Sequence, residues 1–268
     1  MNDVDFLEQN AVDAAINAHW QIAIDYNKKI SRLDKKNLGA QLRLGYAYIQ
    51  LHKLKEAKTA YKKVLRLQKG NQIAEENLER IKILELRGAK KPPKKDVKLD
   101  PNLFLELPGK TKSSTLVNLG QKNTLAHLVI GQEIFVKPKK RRMEIRTEGN
   151  DYVGALPDDL SKRLFLFMKA GSQYMAFIKD VSLSRIVVFI REEKRGKKVQ
   201  RYSSFPRNIQ VDMAKVSTQE GSGDEEGQDE DVLESDLEKL AETLSSDEKD
   251  LNLMYQAESR TDDEDQEE

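Results

Sequence analysis

The sequence predicts a multidomain α plus β chain: N-terminal α-helical hairpins, then a small β-barrel-like α+β domain, then a disordered acidic tail. Three observations predict it. An internal repeat runs through the first third of the 268 residues. Beyond it the hydrophobic period changes from 3.6 to 2, the mark of helices giving way to strands. Charge is divided by segment: residues 1–87 hold 16 Lys and Arg against 11 Asp and Glu, residues 88–208 hold 26 against 12, and residues 209–268 hold 4 against 22. The overall net charge of +1 averages over this division, which decides where a polyanion can be attracted.

The repeat comes first along the chain. Residues 23–37 (AIDYNKKISRLDKKN) overlay residues 57–71 (AKTAYKKVLRLQKGN) at an offset of 34, with Ala, Lys-Lys, Arg-Leu, Lys and Asn in matching places. Trp20 and Leu54 correspond, each three positions before the repeated Ala. Small residues (Ala23, Gly45, Ala57) allow two antiparallel helices to approach, while Tyr48, Leu51, Leu54, Tyr61, Val64 and Leu67 fill the space between them. Residues 73–86 add an amphipathic helix with Leu78, Ile81 and Leu84 on one side and Glu75, Glu76, Glu79 and Arg80 elsewhere. It is expected to cap the array with a polar outer face. In its period and in Leu44-Gly45, Tyr48, Ala57 and Tyr61, the region 4–87 resembles the tetratricopeptide repeat. It departs at Lys69, where that family ends the helix with Pro, and at Asn10-Ala11, which replace Leu-Gly. The resemblance implies a protein-binding groove on the first helices, to which Val12, Ile16, Leu42, Tyr46 and Ile49 would contribute. The family's carboxylate-gripping Lys/Asn set is replaced by Glu8, Val12, Leu42 and Tyr46. The plainer alternative is that these apolar residues only pack helix on helix.

Residues 88–100 read as a basic Pro/Lys linker: Gly88 stops the helix, Pro92-Pro93 prevent its resumption, and five lysines repel one another. The segment 101–208 is the basic β-rich domain. Met143, Ile145 and Thr147 alternate with Glu144, Arg146 and Glu148, and Gly149-Asn150 turns the chain into residues 152–156, a hairpin signal. A helix is expected over 158–170, with Leu160, Leu164, Phe167 and Met168 as its stripe, Asp158-Asp159 at its positive end and Gly171 as its stop. Residues 174–181 and 185–193 read as paired strands, and Lys194-Arg195-Gly196-Lys197 as a second hairpin tip returning through Val199 to Tyr202. Leu103–Leu107, Leu116–Leu119 and Leu125–Val129 are expected to add strands or a short helix, giving five or six strands in a partly closed barrel. Val153-Gly-x-Leu-Pro157, followed by the helix and Gly171, resembles the HIRAN domain, a small barrel that captures single-stranded DNA ends. That resemblance implies a fold; Lys139-Lys-Arg-Arg142 stands where the family has an Asp/Asn-bearing segment, and no end-binding pocket is carried over.

Two basic clusters mark the domain: Lys137, Lys139, Lys140, Arg141, Arg142 and Arg146, then Arg191, Lys194, Arg195, Lys197, Lys198 and Arg201. Lys162 and Arg163 add to them from the helix. Neutralising phosphates with such residues releases counterions and gives salt-dependent affinity. Tyr152 and Tyr202 are candidates to stack a base, whereas Phe135 and Phe189, as strand aromatics, are expected in the core. The alternative is a lysine-rich surface that serves solubility alone.

Other chemistry is not encoded. The absence of cysteine excludes disulfides, thiolate metal sites and cysteine nucleophiles. No GxSxG, Walker or HExxH pattern occurs, and His19, His52 and His127 are scattered. Neither enzyme activity nor a metal or cofactor is expected. Nor does the N-terminus read as a signal peptide, so a cytoplasmic protein without membrane attachment is expected. The tail, residues 209–268, is expected to be disordered, with a short helix over 232–244. The functional expectation is a non-enzymatic adaptor: a protein partner on the repeats, and RNA or single-stranded DNA on the basic barrel. The alternative is a pure protein scaffold whose basic barrel docks an acidic protein or its own tail.

Overall fold

The computed structural model describes residues 3–86, 98–139 and 142–206. Most of the linker (88–97), Lys140, Arg141, and the tail with its expected helix lie outside the described residues.

Five antiparallel helices form the N-terminal array: α1 (Asp3–Ile16), α2 (Trp20–Leu33), α3 (Leu38–Gln50), α4 (Leu54–Leu67) and α5 (Gln72–Leu86). The sequence repeat is a repeat of backbone detail. Ala18 and His52, 34 apart, are both left-handed at φ 58° and 57°, and the residues after them donate to Ala14 O and Tyr48 O, both at 2.8 Å. Asn37 and Asn71 each accept a backbone N–H three residues on, Ala40 N at 2.8 Å and Ala74 N at 3.0 Å, as N-cap-type side chains do. Gly45 is obligatory for packing: a Cβ there would stand 2.5 Å from Tyr61 Cζ, and Tyr61 is fully buried. In the first unit Asn27 takes the place of Tyr61 and is satisfied inside, donating to Ala23 O and accepting from Arg43 Nε. Gly45→Ala is therefore expected to destabilise the chain. Overpacking costs about 1–3 kcal/mol, against ~1 kcal/mol gained in helix propensity. A urea midpoint measures it, and adding Tyr61→Leu should recover part of the loss, because both changes act on one contact.

A six-stranded antiparallel sheet follows, in the order β1-β6-β5-β2-β3-β4. Its strands are β1 (Thr111–Thr115), β2 (Glu133–Lys139), β3 (Arg142–Arg146), β4 (Tyr152–Ala155), β5 (Gln173–Val181) and β6 (Ile186–Lys194), with short α6 (Lys122–Leu125) and α7 (Asp158–Lys169) between them. The sheet curls into a half-barrel whose outer strands meet at one seam. Just past β1, Val117 and Ala155 exchange both backbone bonds at 2.8 Å, and Gly120 N donates to Val153 O. Within the curl lie Ile134, Met143, Ile145, Val153, Ile178, Val188 and Ile190, all buried. Leu103–Leu107, expected to add a strand or a short helix, form turn and coil instead, and the strand of this region is β1, where polar Thr111 and Ser114 turn inward.

The second hairpin tip expected at residues 194–197 is not one. The chain enters a 3-10 turn (Lys197–Val199) and folds back on α7, because Val199 buries against Leu166 and Phe167. Gly196 permits the close approach: it donates to Ser172 Oγ at 2.9 Å, and a Cβ on it would collide with the Ala170 carbonyl oxygen.

Helix α5 is joined to the half-barrel, so its outer side is not the polar cap expected from the sequence. Arg80, read there as a surface residue, is 7% exposed. It donates from Nε to Ala126 O (2.8 Å) and from Nη2 to Leu128 O (2.7 Å). Burial holds its pKa below the usual guanidinium value. Leu84 packs against both the array core and the half-barrel core, and Ile83 against the latter. Glu79–Lys122 (2.6 Å) and Ser184–Glu76 (3.1 Å) rim the contact.

Candidate functional site

Strand register decides how the basic residues are distributed. Glu133 and Ile134 of β2 face Phe177 and Ala176 of β5, so the β2–β3 tip, where Lys139 pairs with Arg142, points toward the start of β5. Gln173 at that start faces Lys194 at the end of β6. Lys139 and Arg142 of the first cluster therefore lie at the same end of the half-barrel as the second cluster, whereas Arg146 lies beside the β3–β4 turn, away from it. The α5 weld is at the other end, beside α6 and the β5–β6 turn.

Helix α7 lies across the basic end. It begins where β4 finishes and ends where β5 starts, and both points are at this end. Ser161, a buried residue the sequence reading passed over, pins its first turn: Oγ accepts from Met143 N (3.2 Å) and donates to Leu156 O (3.0 Å). Leu160 and Leu164 seal the core beneath, while Lys162 faces solvent.

The predicted residues divide into two groups. Arg146 is bound to Glu144 Oε2 from Nε and Nη2 (3.0 and 2.8 Å) and to Asn150 O. Arg191 pairs with Glu193 (2.7 Å). Arg195 is held by both oxygens of Glu192 at 2.7 Å, which raises its pKa. Arg163 is a strut: it donates to Ser203 O and Ser204 O and covers the Phe167 ring. These four arginines are committed to the fold. By contrast Lys139, Lys162, Lys194, Lys197, Lys198 and Arg201 are exposed, and among the described residues they form no ion pair. Lys137 reaches only the Asn150 amide oxygen at 3.2 Å, and Arg142 is exposed beside Tyr152. Lys197, Lys198, Gln200, Arg201 and Tyr202 line an open cleft at this end. Lys169, in the last turn of α7, lies over the Phe165 ring.

The aromatics are redistributed. Tyr152 is anchored, its hydroxyl donating to Asn118 O (2.7 Å) and its ring facing the Arg146 guanidinium 5.9 Å away. Tyr202 is half-buried against Leu166, Phe167 and Val199. Phe189 is in the core as expected, but Phe135 is not: it is 41% exposed on the outer face of β2. Inward Ile145 pairs with Val136, so parity along β2 turns Phe135 outward; that signal was available in the sequence once the register was known.

In the array, Val12, Ile16, Leu42 and Tyr46 are half-buried, and Tyr46 stacks edge-on with Trp20 (5.8 Å). Ile49 is buried with Ala57, Tyr61 and Ile81, out of reach of a partner, because it faces α4 and α5. The Ile16 carbonyl accepts from Leu99 N (2.9 Å), so the chain returns past α1 on its way to β1.

No known protein family matches the sequence, and no curated protein is significantly similar to it. No described helix is long and apolar enough to cross a membrane.

Proposed function

We propose that this chain is a non-enzymatic cytoplasmic adaptor. A short tetratricopeptide-type array takes a protein partner, and the basic end of a HIRAN-like half-barrel takes RNA or single-stranded DNA. One observation carries the nucleic-acid half: at this end the carboxylates Glu144, Glu192 and Glu193 are engaged by arginines, leaving Lys139, Lys162, Lys194, Lys197 and Lys198 to the solvent. Fixed carboxylate–arginine pairs cancel each other, and the exposed Asp158 and Asp159 at the start of α7 are outnumbered by Lys139, Arg142, Lys162, Lys194, Lys197, Lys198 and Arg201, so the outward field there is positive. The test is a salt titration of full-length protein with a labelled single-stranded oligonucleotide. Contact with about six phosphates gives a log–log slope of roughly −4. A slope shallower than about −1, or no binding at low salt, overturns the reading.

A second reading has its own support: the same chain carries 22 acidic against 4 basic residues in 209–268. The basic end would then serve an acidic protein or this segment itself, in a scaffold that binds only proteins. A scaffold of this kind shows little oligonucleotide affinity at about 0.15 M salt. Deleting residues 220–268 tests the segment itself as the occupant: oligonucleotide affinity at low salt should rise, and unchanged affinity removes the segment as occupant.

A further inference from the structure

We infer that the outer face of β2 is a track for single-stranded nucleic acid, on which Phe135 stacks a base while Lys137 and Lys139 hold successive phosphates. This rests on the nucleic-acid reading above and narrows it to a strand whose bases are unpaired. Along β2, Ile134 faces the core, and Phe135, Lys137 and Lys139 are exposed on the other side. Alternate residues of a strand recur every ~6.7 Å, close to the repeat of an extended single strand. The track leads to Arg142 at the β2–β3 tip and so toward Lys194, Lys197, Lys198 and Arg201 at the same end.

The Phe135 ring is open for a reason. Its cross-strand neighbour Arg146 would ordinarily lie over it, but Glu144, Asn150 O and the Tyr152 ring draw that guanidinium toward β4. Among the described residues no ring or cation stacks on Phe135. A lone exposed phenylalanine is ordinary; one in line with two exposed lysines on a single strand face is a stacking platform with its phosphate ligands beside it. Duplex nucleic acid would satisfy the lysines and leave the ring unused, since its bases are already stacked. An acidic peptide would do the same.

The test uses full-length protein, with a single-stranded oligonucleotide, a blunt duplex of equal length and polyglutamate as probes. Phe135→Ala should weaken single-strand binding about 5- to 150-fold with the salt slope unchanged, and should barely alter duplex binding. Phe135→Trp should retain affinity, and its fluorescence, read against Trp20 as the sole native tryptophan, should be quenched by the single strand. Lys137→Gln with Lys139→Gln should instead reduce the slope by about 1.4. Wild-type single-strand affinity in Phe135→Ala, with the lysine variant weakened, overturns the stacking track and leaves the nucleic-acid reading intact. Polyglutamate binding as tightly as the oligonucleotide overturns both.

Discussion

Arg80→Ala is expected to cost about 3–5 kcal/mol and to separate the unfolding of the helical array from that of the half-barrel. The side chain is almost wholly buried and donates to two carbonyls, Ala126 O and Leu128 O, in the loop that closes the half-barrel beside α6. Truncation leaves both acceptors without their donors and opens a cavity where α5 meets the loop, and each loss is of order 1–3 kcal/mol. Arg80→Lys does not restore the contact, because one ammonium on a shorter stem cannot serve two carbonyls with the planar fork of a guanidinium. Arg80→Met should be milder than Ala, since it fills the volume and removes a desolvated charge whose pKa burial already depresses. Chemical denaturation followed by tryptophan fluorescence (Trp20, array) and by circular dichroism of the sheet measures it. Wild type should give coincident curves, because Leu84 belongs to both cores, and Arg80→Ala should give two. Coincident curves in Arg80→Ala with a loss below ~1 kcal/mol would show that α5 is not what joins the two parts.

Much of the fold was legible because local signals agreed with one another. The 34-residue offset carried the helix ends as well as the apolar stripe, so Asn37 and Asn71, and Ala18 and His52, recur in structure as they do in position. Helix α7 was equally plain, with Asp158-Asp159 at one end, Gly171 past the other and Leu160, Leu164 and Phe167 between. The β3–β4 and β5–β6 hairpins fell within a residue or two of expectation.

Features that depend on distant partners were not legible. Arg80 looks like any surface arginine on an amphipathic helix; its acceptors are 46 and 48 residues downstream, across the linker. The seam at Val117 and Ala155 exists only once six strands have curled, and no local pattern announces it. Residues 194–197 carry turn composition, yet Gly196 serves close approach to α7, a requirement set by tertiary packing. Charge gave a half-answer. Counting found the clusters, but it could not tell Arg163, Arg191 and Arg195, committed to backbone or carboxylate, from the uncommitted Lys194, Lys197 and Lys198.

That division yields the second large effect. Replacing Lys194, Lys197, Lys198 and Arg201 together by glutamine is expected to weaken single-strand binding about 100-fold or more at 0.15 M salt and to make the salt slope shallower by roughly 3. All four are exposed, and buried Val199, which fixes the turn, is untouched, so the fold should survive. The decisive control removes the same charge elsewhere: Lys28, Lys29, Lys62 and Lys63 are exposed on α2 and α4 of the array. With a Debye length of about 8 Å at this ionic strength, those lysines lie outside the field felt by a strand bound around α7. Their glutamine variant should lose less than about threefold. Equal losses in the two variants would mean that attraction follows net charge rather than a place on the half-barrel. No loss in either would leave the array as the chain's single working surface. An affinity that falls only in the first variant would place the ligand at the end opposite α5, clear of the faces of the array.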